Sequence, residues 1–423
     1  MDRLKSCNLV KARECNRAGG MLADLMFVLM LALPMVDSFN GFLNDGGNEG
    51  GLSFGMAYRI LVILVFATAS FLGMQRRLLV AAGVAVSGII IIPHIGDLVH
   101  SASFVVLTIK TMLPLICIAG FVSVDMEGRT VEGRLKMLFR SWALLFPVTI
   151  FIPLIFGTGF NTYGSMSAGY KGFYYSQNDL CFVLVMLFYF SGIDALRSED
   201  KRHSISAIVS VLLTGACILL LGLKSGYIMM LVSAVLWLFD RSVPTSRKRI
   251  VVLVAFIAVL ILSVLFDDEI RLIVNRWLYN YNVSDSFGTF VSSGRFERIP
   301  KSIEKLNAVY GGPFWMLFGA GQRAMEVLHP YMFAEMDVFD ILFEYGVAGC
   351  LLICGTYLSF LFLRIPSKES WTKCMLVIAC AMSTLGGHVL NSPLSGMVFA
   401  AVLALIWVAS RDDYREESFS MVK

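Results

Sequence analysis

Charge is what this chain has least of. Asp, Glu, Lys and Arg make up 16% of its 423 residues, while hydrophobic residues make up 57%. Soluble domains carry about 25% charged residues, so a soluble globular fold is excluded. The nine cysteines form no CxxC or Cys/His ligand spacing, and none falls within 267–337, so neither a disulfide framework nor a structural zinc site is expected. They read as small packing residues. The turn Gly319-Ala320-Gly321 lacks the third glycine and the strand-turn-helix setting of a nucleotide fingerprint. No period of 20–50 residues recurs, which rules out a solenoid. No inverted repeat of the transporter kind is visible. The first apolar run has a long basic tail before it and no small-residue cleavage site after it, so it does not read as a cleaved signal.

What is present is a series of apolar runs, each of roughly 16–23 residues and long enough to cross a bilayer. Twelve spans are expected, near 21–36, 54–72, 78–93, 102–124, 137–156, 180–193, 204–222, 226–239, 250–266, 338–363, 374–390 and 394–410. The runs at 180–193 and 226–239 are short and must tilt little or borrow flanking residues. The fold class is therefore all-α: one polytopic membrane domain, 1–423, with 267–337 inserted as a large loop between the ninth and tenth spans. Every second loop is basic, and most of the 35 lysines and arginines lie in those loops and the two tails. Both termini are accordingly expected in the cytoplasm, with 267–337 on the far side.

The 267–337 segment is too long for a mere connector. Ile270, Ile273, Val274, Trp277 and Tyr281 mark one amphipathic helix, expected along the membrane surface. Phe296, Ile299, Ile303, Leu306 and Val309 mark the apolar face of a second, with Ser293 as its N-cap. On the polar side of this second helix, Glu297 and Lys301 pair at i,i+4. Arg295, Arg298 and Lys305 form a stripe with no acid at matching positions, and Arg323 follows the glycine turn. Such cations suit a diphosphate, whose oxygens guanidinium groups bind bidentately. Solvated charge or contact with anionic lipid is the competing explanation. Asp337, Asp340 and Glu344 share one face entering the tenth span, and that face should point into a protein-lined cavity.

Three stretches carry a resemblance. They are Ser293-Gly294-Arg295 with the following helix and Phe318-Gly319-Ala320-Gly321 turn, the sequence EMDVFDILFEYGVAG at 335–349, and GYKGFYYSQNDL at 169–180 before the sixth span. Together with the twelve-span layout, they resemble the O-antigen polymerase and O-antigen ligase superfamily. The resemblance implies a glycosyltransferase with a GT-C-like architecture in the bacterial inner membrane. It would use undecaprenyl-diphosphate-linked oligosaccharides as donor and acceptor, with no cofactor, metal or nucleic acid. Membrane lipids are further expected partners, as is a chain-length regulator protein. The ligases' His-Asn pair falls at Glu335-Met336 here, which is closer to the polymerase branch, and their Ser-Arg is replaced by Lys224-Ser225.

On this view Arg295, Arg298 and Arg323, with Lys171 or Lys224, hold the diphosphate. Asp337, then Glu335, then His329 are the candidates for the base, and Asp340 completes the catalytic carboxylates. Tyr174, Tyr175, Asn178 and His329 are candidate sugar contacts, although Tyr also gathers at membrane interfaces without any ligand. Arg59 either touches phosphate or anchors its helix. A ligase that transfers the glycan to lipid A core, or a transporter of lipid-linked oligosaccharide, are the alternatives.

Overall fold

The computed structural model describes residues 2–44, 53–72, 88, 92–123, 128–164, 168–240, 244–246, 253, 264, 267–328, 334–390 and 392–421. Among these, eight helices are long and apolar enough to cross a membrane. They are Gly20–Leu43, Phe54–Leu72, Ala102–Ser123, Val131–Ile155, Gln177–Arg197, Lys201–Leu221, Asp337–Phe362 and Pro393–Arg411. Lys224–Phe239 and Trp371–Leu385 are shorter apolar helices at two further expected spans. The expected spans at 78–93 and 250–266 lie largely outside the described residues. An antiparallel pair of three-residue strands, Asn161–Tyr163 and Ala168–Tyr170, is the only sheet among the described residues.

Two helices form the centre of the bundle. Nearly every residue of Gln177–Arg197 and Pro393–Arg411 is buried, against roughly two in five along Gly20–Leu43 and Phe54–Leu72. The short apolar run at 180–193 does borrow its flanks. Ser176 caps the helix by accepting from Asp179 N at 3.4 Å, and the helix then runs 21 residues. At about 1.5 Å per residue it is ~30 Å long, which puts Asp179 and Arg197 at opposite ends of the bundle. The Arg197 end is laced by ion pairs. Arg140 meets both oxygens of Asp194 at 2.8 Å, His203 reaches Asp194 at 3.0 Å, and Arg197 reaches Asp240 at 2.9 Å.

The expected span at 374–390 is shorter than its apolar run. Its helix ends at Leu385, because Gly386 caps it and Gly387 adopts φ +97°, leaving 386–390 as a loop. The tenth span is interrupted as well. Gly346 takes φ 69° and ψ −172° inside Asp337–Ser359, which separates a half-helix at 337–345 from the remainder. The freed carbonyls are not left bare. Ala320 N donates to Phe343 O at 2.8 Å and Gly321 N to Glu344 O at 3.1 Å. The glycine turn is therefore a plug in a broken helix, and it satisfies backbone that a membrane interior cannot.

The inserted segment has a core of its own. Leu306, Trp315, Ala320, Ala324, Leu328, Ala334 and Met336 pack together with Phe343 of the half-helix. Ile299 and Ile303 join this core, whereas Phe296 and Val309 of the expected apolar face are exposed. Ser293 is not the N-cap of Arg295–Tyr310. It closes the preceding helix Phe287–Ser292 at φ 54°, and Gly294, also left-handed, takes the N-cap position. Two consecutive left-handed residues thus turn the chain so that Arg295 opens the helix.

Candidate functional site

The site forms where four pieces of chain meet: the start of Gln177–Arg197, the start of Arg295–Tyr310, the 335–345 segment and the loop 386–390 with Ser392. The loop ties the others together. Asp337 is fully buried, and its carboxylate accepts from Val389 N at 3.0 Å and Leu390 N at 2.9 Å. Ser392 Oγ donates to Asp179 Oδ2. His388 Nδ1 stands 3.3 Å from Asp340 Oδ2, which also accepts from Met336 N at 2.9 Å. Gly387 is wedged between elements. A Cβ there would strike Asn178 Nδ2 and lie 3.4 Å from Arg295 Nη2.

The arginine stripe divides. Arg295 and Arg298 converge on one carboxylate, with Arg295 Nη2 at 3.5 Å and Arg298 Nη1 at 3.2 Å from Glu335. They lack an acidic partner on their own helix, as the spacing shows, but the fold supplies one from 40 residues away. Lys305 leaves the stripe and donates to Val327 O at 2.5 Å. Glu297 accepts from Thr289 Oγ1, and no ion pair joins it to Lys301 among the described residues. Glu335 has φ +53°, a conformation a residue with a side chain rarely adopts and one that gathers at functional sites.

A polar cavity of about 190 Å³ opens in front of these groups. Its lining includes Asn178, Lys224, Ser225, Arg276, Arg295 and Glu335. Lys224 donates to Phe290 O and sits 4.1 Å over that ring, while the Arg276 guanidinium lies 3.1 Å from the centre of the Tyr163 ring. Three cations therefore line the cavity with one carboxylate. Burial pulls the Arg295 guanidinium below its ordinary value and the Glu335 carboxylate opposes it, whereas burial raises the Tyr163 phenol against the pull of Arg276.

Asp337, Asp340 and Glu344 are all enclosed by protein. Asp179 Oδ1 and Asp340 Oδ1 have no hydrogen-bond partner within ordinary geometry among the described residues. Asp337 differs, because its oxygens hold the loop.

Other expected residues sit elsewhere. Arg323 is exposed, 5.9 Å from the Tyr310 ring, and does not line the cavity. Lys171 donates to Tyr175 O at 2.8 Å, also outside the lining. Tyr174 is a core residue with no face to offer a sugar. Its hydroxyl is held by Thr149 Oγ1 at 2.7 Å and Pro34 O at 3.1 Å. Tyr175 is 58% exposed. His329 lies outside the described residues. Arg59 binds Asp37 at 2.6 Å, which makes it a helix anchor.

His388, Ser392, Asp179 and Arg276 are the residues of the site that the sequence reading did not assign. A signal for the first two existed. Gly386-Gly387 and Ser392-Pro393 punctuate the apolar sequence as loop residues do, and they bracket one of only five histidines.

No curated protein matches this chain. Residues 78–267, which contain Asn178, Asp179 and Lys224, match the family described as O-antigen ligase like membrane protein, and the match is consistent with the O-antigen ligase and polymerase superfamily and supports a role in polysaccharide assembly.

Proposed function

We propose that this protein is a surface-polysaccharide polymerase. It joins undecaprenyl-diphosphate-linked oligosaccharide repeats on the periplasmic side of the bacterial inner membrane, with both termini in the cytoplasm. The observation that carries this reading is the cavity where Lys224, Arg276 and Arg295 meet Glu335 beside a cluster of buried carboxylates. Diphosphate is a competent leaving group once its developing charge is held, and fixed guanidinium and ammonium groups in an enclosed site supply that term. Diphosphate oxygens would compete with Glu335 for Arg295 and Arg298, since both anions fit the same fork. Glu335 and Asp340 are the carboxylates suited to act near the acceptor. The proposed role of Asp337 is to hold the 386–390 loop against them.

The family match is described by the ligase, which keeps that reading as the second one. Deleting the gene separates the two on a lipopolysaccharide gel. Loss of a polymerase leaves core bearing single repeats, whereas loss of a ligase leaves core bearing none. A radiolabelled repeat unit supplied at the outer face should lengthen into polymer. Movement across the membrane with no change in length would indicate a transporter instead.

A further inference from the structure

We propose that His388, oriented by Asp340, accepts the proton of the acceptor hydroxyl during glycosyl transfer. This inference rests on the transfer reaction proposed above and assigns one of its steps to a residue outside the expected carboxylate set. The geometry begins with the 3.3 Å approach of His388 Nδ1 to Asp340 Oδ2. A proton on Nδ1 shared with that carboxylate makes Nε2 the basic nitrogen and fixes the tautomer. Asp340 is itself held rigidly, fully buried at the head of the 337–345 half-helix and bonded to Met336 N. The side chain of His388 is nonetheless 46% exposed, so a base fixed on one side is accessible on the other.

The loop carrying His388 also has little freedom. Its next two amides bind Asp337, Ser392 binds Asp179, and Gly387 is pressed against Asn178 and Arg295. Gly386, Asn178 and Arg295 all line the cationic cavity, so the loop that carries His388 borders it two residues before the histidine. The charged groups that act on the ring besides Asp340 are Asp337 and Glu335, both acidic, and Arg295 and Lys110, both basic.

In the step, the acceptor oxygen bonds to the anomeric carbon of the donor sugar. The bond from that carbon to the diphosphate oxygen breaks, and its electron pair leaves on the diphosphate held by Arg295. The hydroxyl proton passes to His388 Nε2 and is then released to water. No oxidant or metal enters the balance.

The test uses the full-length protein in proteoliposomes, with the host's own undecaprenyl-diphosphate-linked repeat unit as donor and acceptor. His388→Gln should lower maximal turnover by about 10²–10⁴, with little change in the donor concentration needed for half saturation. Burial holds the His388 ring below the ordinary imidazole value of about 6.5, so wild-type turnover should fall as pH drops below that value, and the residual rate of His388→Gln should lack this acid limb. Asp340→Asn removes the charge that favours imidazolium, so it should move the limb to lower pH. Added imidazole should restore part of the activity of His388→Ala. Should His388→Gln fail to fold, His388→Asn carries the same comparison. Wild-type turnover in the variant, or slower turnover with the wild-type acid limb intact, overturns the assignment while polymer formation by wild type sustains the polymerase reading. Failure of wild type to make polymer overturns both.

Discussion

The half-helix at 337–345 is gripped at both ends by backbone amides from loops, but the two grips differ in kind. At its far end, Ala320 N and Gly321 N bind the carbonyls freed where Gly346 breaks the helix. At its near end, Val389 N and Leu390 N bind a side-chain carboxylate, Asp337. The first grip pairs backbone with backbone and demands glycine. The second depends on one acidic residue and positions a loop bearing histidine. The comparison separates a device that keeps a broken membrane helix satisfied from one that assembles a site.

The largest expected effect falls on the near end. Arg295→Ala should cut chain extension by at least about a hundredfold, the scale of losing one fixed charge-stabilising donor. Arg295→Lys should stay impaired, since an ammonium cannot reproduce the fork. Polymer ladders from purified protein measure both, and a full-length ladder from Arg295→Ala would break the assignment of the near end. Asp337→Ala should follow. Two buried amides lose their acceptor at roughly 1–3 kcal/mol each, so both thermal stability and extension should fall. Asp337→Asn should recover part of the stability, because an amide oxygen still accepts.

The far end should respond in stability first. A methyl at Gly319, which has φ +89°, would strike Glu344 O, and Gly319→Ala should cost about 1–3 kcal/mol, read as a lower unfolding midpoint. The smallest effect is expected at Arg323. It is exposed over Tyr310 outside the cavity, so Arg323→Ala should leave extension within about twofold of wild type. A hundredfold loss there would redraw the site to include the far end.

The elements of this comparison were unequally legible from sequence. The membrane class follows from apolar runs, because backbone satisfaction in lipid leaves helices as the answer. The run at 374–390 hid a loop, since Val389 and Leu390 are apolar yet serve the site through their backbone amides. Arg295 and Arg298 stood out by their spacing on one helix and Glu335 as a candidate carboxylate, but the pairing of the three did not, because tertiary folding brings Glu335 to them. His388 was obscured for the same reason: a single histidine inside an apolar run shows no partner until Asp340 is beside it. The Gly319 turn read as a turn, but its role against Gly346 depends on a helix break that only the folded chain displays.

The helix Gln177–Arg197, buried along nearly its whole length, has a mechanical consequence. Sheathed on all sides, it feels bilayer thickness and acyl-chain order only through its neighbours. Asp179 at its head is thereby a fixed post, and shorter or longer lipids would strain the peripheral helices before they displaced it.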